Sequence, residues 1–114
     1  DARKAVASNA IAANVDFVLD EAGLRKYFEQ AVNGEQVSHG KPHPEIYLKV
    51  ASLLNVSPKE CIVFEDSQAG IDAALAAGMK VVAINLHRTT LIGQSIEADH
   101  FLDTRLHEWL TSRF

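Results

Sequence analysis

With 114 residues and a mass of 12.5 kDa, the chain has the length for one small domain and not for two independent cores. A hydrophobic content of 47% excludes a disordered chain, and no apolar run reaches the length of a membrane span or a signal-peptide core. The formal net charge of −4 argues against nucleic acid or a membrane surface as the partner.

In chain order, residues 4–8 form a short apolar run that reads as a buried strand. Ile11, Val15, Val18, Leu19 and Ala22 then fall at helical spacing over residues 10–22, with Gly23 placed to end the helix. Residues 24–28 read as a short helical turn and residues 30–33 as a second strand. A loop over 34–43 leads to Pro44 at the first helical position, where its missing N–H costs nothing. Ile46, Val50, Leu53 and Leu54 give the helix that follows one apolar face, and residues 55–60, with Pro58, break it. Residues 61–64 are a continuous apolar run, the pattern of a parallel strand covered on both faces. Ser67 or Asp66 caps a helix to about Ala77, stopped by Gly78, and residues 80–84 form another buried strand. Residues 85–98 read as irregular or weakly helical, 100–102 as a last short strand, and 106–113 as a closing helix anchored by Trp109. Strands alternating with helices predict a parallel α/β sheet with helices on both faces, and ligands of such sheets bind at the carboxyl ends of the strands.

Three polar segments fall at those ends. Glu65-Asp66 places two adjacent carboxylates directly after a buried strand, where mutual repulsion is costly and a divalent cation with hard oxygen ligands, Mg²⁺, relieves it. Helix capping explains the same pair equally. Lys41, between Gly40 and Pro42, is a charge on a restricted backbone, suited to a phosphate, or else a solvated loop lysine. Ser8-Asn9 offers a hydroxyl and backbone N–H groups for one phosphate, or else an N-cap. His39, His43, His87, His100 and His107 show no ligand spacing on one helix and read as surface or loop residues. Cys61 reads as a small core residue; as the lone cysteine it forms no internal disulfide, which suits a cytoplasmic chain.

Together, residues 5–9, 40–47 and 63–71 occur in an order that resembles the haloacid dehalogenase-like superfamily, in its β-phosphoglucomutase-like branch of phosphatases and phosphomutases. The resemblance covers roughly residues 3 to 103. It implies a three-layer Rossmann-like core and Mg²⁺-dependent transfer of a phosphoryl group from a small phosphorylated metabolite, of the sugar-phosphate kind, through an aspartyl-phosphate. It further implies that Ser8, with Asn9, binds the phosphate, that Lys41 stabilises nucleophile and phosphate, and that Asp66 and Glu65 hold the metal, Asp66 being the stronger candidate for direct contact.

The family's nucleophilic aspartate and its substrate-selecting cap have no counterpart between Asp1 and Ser8. On the resemblance, residues 1–114 are a single partial core domain without its central first strand, inactive alone. The chain alone would then close the gap, or the strands flanking it would present edges for a second copy of the chain or for a preceding segment. A non-catalytic module binding phosphate or Mg²⁺ is the alternative. A response-regulator receiver domain fits poorly, because Lys41-Pro42 precedes Glu65-Asp66 rather than following it.

Overall fold

The computed structural model of the protein describes residues 2–85 and 90–98, together with 105 and 108. Eight principal elements alternate along the chain: β1 (Ala5–Ala7), α1 (Ala12–Glu21), β2 (Gln30–Val32), α2 (Glu45–Leu54), β3 (Ile62–Glu65), α3 (Gln68–Ala76), β4 (Lys80–Ile84) and β5 (Ile96–Ala98). All pairings are parallel, the register placing Val6 opposite Ala31, Val63 opposite Val81 and Ala83 opposite Glu97. The strands form two sheets, β1-β2 and β3-β4-β5, with no strand among the described residues joining them. The α/β class and the interrupted sheet agree with the sequence reading.

Each half-sheet is tied to the other through helices rather than through strand pairing. Helix α2 packs on β1, β2 and α3, while α3 packs on β3 and β4. One core therefore runs beneath both sheets, from Val32, Ile46 and Val50 to Ile71, Val81 and Ala83. Ile71 is wholly buried, worth about 2 kcal/mol of apolar burial. Along β4 the side chains alternate: Val81 and Ala83 join this core, while Val82 and Ile84 meet Ala98, Ile62 and Ile96 in a second cluster. This strand is covered on both faces, as its sequence predicts.

Helix ends follow local chemistry. Gly23 and Gly78 adopt positive φ and close α1 and α3, with Met79 N–H bonding back to Ala74 O at 3.0 Å. Asn55 closes α2 in the left-handed region, φ 56°, which its side chain tolerates.

Several expectations need correction. Helix α1 buries only Val15 and Leu19, while Ile11 and Val18 face outward, because so short a helix lays one narrow i, i+4 stripe on the core. On α2, Leu53 is exposed and Tyr47 and Ala51 occupy the buried face with Ile46, Val50 and Leu54. Pro44 is the N-cap rather than the first helical residue. The loop after β2 opens with a 3-10 turn at Gly34–Gln36. Strand β3 starts one residue late, so Cys61 lies before it, half-buried, its thiol directed at Ser57 O. Phe64 is 41% exposed, so β3 is not covered on both faces. Residues 96–98, read as irregular, are strand: pairing with β4 overrides a sequence interrupted by Glu97. The strand expected at 100–102 and most of the helix at 106–113, with Trp109, lie outside the described residues. Among the described residues no helix is long and apolar enough to cross a membrane.

Candidate active site

A polar cleft of about 420 Å³ opens at the carboxyl ends of β1 and β3, lined by Ala7, Ser8, Asn9, Lys41, Phe64, Glu65, Asp66 and Ser67. All five residues singled out in the sequence line this one cleft. They arrive from three segments far apart in the chain, because β1 and β3 both run toward it and the loop before α2 folds over it.

Lys41 spans the interval between the two sheets. Its Nζ donates to Ala7 O at 3.1 Å, at the end of β1, and to the Glu65 carboxylate, at the end of β3. The Lys41 and Glu65 side chains are only 12% and 7% exposed, so the pair is screened little by solvent. The loop that carries Lys41 is fixed at its main chain: Lys41 N–H donates to Asn9 Oδ1 at 3.0 Å. A Cβ at Gly40 would sit 2.9 Å from that same Asn9 oxygen, so a side chain there would displace the Asn9 amide from its bond to Lys41 N–H. The Lys41-Pro42 peptide is cis.

Glu65 is the hub of the site. One carboxylate oxygen accepts from both Lys41 Nζ and the Tyr47 hydroxyl, and the other accepts from Ser67 Oγ at 3.3 Å. Beneath it lies Gly70, where any Cβ would overlap the carboxylate. Tyr47, on the buried face of α2, is held protonated well above the ordinary tyrosine range, first by burial and then by its bond to the Glu65 carboxylate. A phenol so placed donates and stays neutral.

The alternatives left open by the sequence divide cleanly. Ser67, not Asp66, caps α3, its Oγ accepting from Gly70 N–H at 3.1 Å. Asp66 is exposed at the cleft and hydrogen-bonds no other described residue. Neither Ser8 nor Asn9 caps α1, whose first turn instead donates from Ala12 N–H to Glu35 Oε1 at 2.8 Å. Ser8 Oγ accepts from Ala10 N–H at 3.1 Å, leaving its own hydroxyl proton to donate. Lys41 is no solvated loop lysine. The sequence offered Ser67 only as a cap, and Tyr47 and Gly70 only as members of the segments 40–47 and 63–71, with no part in the site given to any of the three.

Parallel strands alternating with helices, with a cation, a hydroxyl and two carboxylates gathered at the strands' carboxyl ends, match the doubly wound class of α/β fold, in which ligands bind at that edge. The comparisons give the family. The profile of haloacid dehalogenase-like hydrolases matches residues 1–78, and the chain belongs to that family. A bifunctional riboflavin kinase/FMN phosphatase of Arabidopsis thaliana is 38% identical over 109 residues, 92% of this chain and 29% of that protein. A fructose-1-phosphate phosphatase of Escherichia coli is 42% identical over 82 residues, 72% of this chain and 44% of that protein. The crystal structure of a putative β-phosphoglucomutase from Thermotoga maritima superposes with a TM-score of 0.80 at 30% identity, covering 98% of this chain and 53% of that one. The chain thus matches between 29% and 53% of the length of these three relatives.

Proposed function

We propose that these residues form the phosphate- and Mg²⁺-binding part of a cytoplasmic phosphatase or phosphomutase acting on a small phosphorylated metabolite, of the sugar-phosphate class. The observation that carries the reading is the Lys41 ammonium held between Ala7 O and Glu65, with Ser8, Asn9 and Asp66 around the same cleft. The names of the relatives support the substrate class.

Charge arithmetic supports the metal. Lys41 is neutralised by Glu65, and Asp66 remains, so the cleft carries a net negative charge that repels a phosphate dianion. An exposed carboxylate beside a paired one, with hydroxyl and carbonyl oxygens nearby, is a hard-oxygen donor set that suits Mg²⁺. Asp66 is the residue to hold the ion directly, and Glu65, engaged by Lys41 and Tyr47, adds charge to the same site. When bound, the ion neutralises the phosphoryl oxygens. The Lys41 ammonium has a third proton beyond those given to Ala7 and Glu65, and directs it to the phosphoryl group. Ser8 donates its hydroxyl proton to a phosphate oxygen, and Asn9 holds the Lys41 loop in place while offering its amide N–H₂.

Asp66 is the single aspartate lining the cleft among the described residues. We therefore take the 114 residues by themselves to bind but not to turn over phosphoesters. Strands β1 and β3 do not pair with each other, and a strand carrying the nucleophile would come to their free edges from a longer form of the protein or from a second chain.

Titration of inorganic phosphate, with and without Mg²⁺, followed by amide NMR tests the reading. Shifts are expected at Ser8, Asn9 and Lys41, lost in Lys41→Ala, with the Mg²⁺ enhancement lost in Asp66→Asn. Shifts elsewhere, or none, defeat it. Hydrolysis of p-nitrophenyl phosphate that disappears in Lys41→Ala would overturn the inactivity of the isolated chain.

A further inference from the structure

The loop that presents Lys41 to the cleft also carries, on its outer side, a cluster of a different chemistry. His39 and His43 are four residues apart on a non-helical loop, a separation that gives no ligand pattern when only helices are considered. The fold of the loop stacks the two imidazoles, ring centroids 4.7 Å apart and planes 23° off parallel. Glu45, in the first turn of α2, completes the group. One ligand atom from each of His39, His43 and Glu45 lies within 4.8 Å of the others.

We propose that His39, His43 and Glu45 bind a divalent transition-metal ion of the zinc class. His39 Nδ1 stands 3.2 Å from Glu45 Oε1. That is the edge of a tetrahedral site, since ligand bonds of about 2.0 Å set neighbouring ligands about 3.3 Å apart. His43 is exposed and free to rotate its ring the remaining distance, exchanging the Glu45 N–H bond at its Nδ1 for the metal. Glu45 is held in position: its carboxylate accepts from Ser38 N–H at 2.8 Å and His39 N–H at 3.1 Å. Those bonds account for the loop's shape without an ion. Hydrogen bonds also seat the rings, His39 Nδ1 at the Glu45 carboxylate and His43 Nδ1 at the Glu45 N–H; what points to an ion is that the three ligand atoms so gathered lie within reach of one centre.

Donor chemistry separates this site from the cleft. Two imidazole nitrogens and one carboxylate suit Zn²⁺ and its neighbours, whereas Mg²⁺ requires oxygen ligands. A fourth position remains for water. Because His39 and His43 lie two residues to either side of Lys41, the ion fastens the loop across that lysine. The binding itself stands on this geometry alone and is independent of the phosphatase reading.

Zinc chloride titrated calorimetrically into the full chain, in the presence of excess Mg²⁺, tests the proposal. One Zn²⁺ per chain is expected, with affinity about tenfold weaker in either His39→Ala or His43→Ala and lost in the double variant. Both side chains are exposed, so the circular dichroism spectra should coincide. Co²⁺ added to the unaltered protein supplies an independent readout: the ring resonances of His39 and His43 should broaden before those of the other three histidines. Absence of stoichiometric Zn²⁺ binding, undiminished binding by the double variant, or earlier broadening of another histidine each overturns the site.

Discussion

Replacing Gly70 with alanine isolates the tension at the centre of the cleft. Gly70 is buried in the first turn of α3, and elsewhere in a helix Gly→Ala stabilises by up to about 1 kcal/mol. Here the added methyl occupies the space of the Glu65 carboxylate. The carboxylate is the end of a flexible side chain and would yield easily were it not held by Lys41 and Tyr47. Moving it surrenders both bonds. At about 1.5 kcal/mol each, the low end for charged hydrogen bonds because the displaced carboxylate can find water in the cleft, the loss is about 3 kcal/mol. Subtracting the helix gain leaves a net destabilisation of about 2 kcal/mol, or a fall in Tm of roughly 8 °C. Urea and thermal denaturation followed by circular dichroism measure it. The same substitution in a Glu65→Ala background, where the methyl meets no carboxylate, should stabilise by up to about 1 kcal/mol. Equal effects of Gly70→Ala in the two backgrounds, or a neutral effect in the first, would refute the reasoning.

Two further outcomes follow from the same hub. The Tyr47 phenol has a raised pKa in the folded protein, so its protonated form is favoured by folding. Its stability contribution is complete below the unfolded tyrosine pKa of about 10 and declines as pH rises above it toward the folded value. Denaturation at about pH 9 and about pH 11 should show that decline, and Tyr47→Phe should lessen it while costing about 1 kcal/mol at neutral pH. The adjacent carboxylates should behave unlike one another. Asp66→Asn is expected to leave stability within about 0.5 kcal/mol, since the side chain is exposed and bonded to no described residue, while Glu65→Gln leaves Lys41 without its counter-charge and costs about 2 kcal/mol. Equal effects in chemical denaturation would mean that the two do not divide structural and ligand roles.

Much of the fold was legible because its buried strands and helix stops are local signals. The run at 80–84 could only be strand, and Gly23, Gly78 and the 55–60 segment end helices through their own backbone preferences. Strand β5 was illegible for the opposite reason: Ile96–Ala98 owes its conformation to pairing with β4, a contact with no trace in three residues interrupted by a glutamate. At the site, the positions of Ser8, Lys41 and Asp66 followed from strand ends. That Glu65 is buried and bonded to Lys41 and Tyr47 while Asp66 stays exposed did not. It depends on Tyr47 and Gly70, which meet Glu65 only through the packing of α2 and α3 around β3. The convergence of His39 on His43 likewise arises from loop geometry that helical periodicity does not encode.

The two bonds of the Lys41 ammonium reach 34 residues back to Ala7 and 24 forward to Glu65. Contacts of such sequence separation form late, after the loops they close have lost their freedom. No partly folded chain lacking β1, the 41 loop or β3 assembles the cleft, so a ligand held by Lys41 recognises the completed topology. By linkage it should raise the cost of opening for the amides of both sheets together, and hydrogen exchange on either side of the interval would then slow in concert on ligand addition.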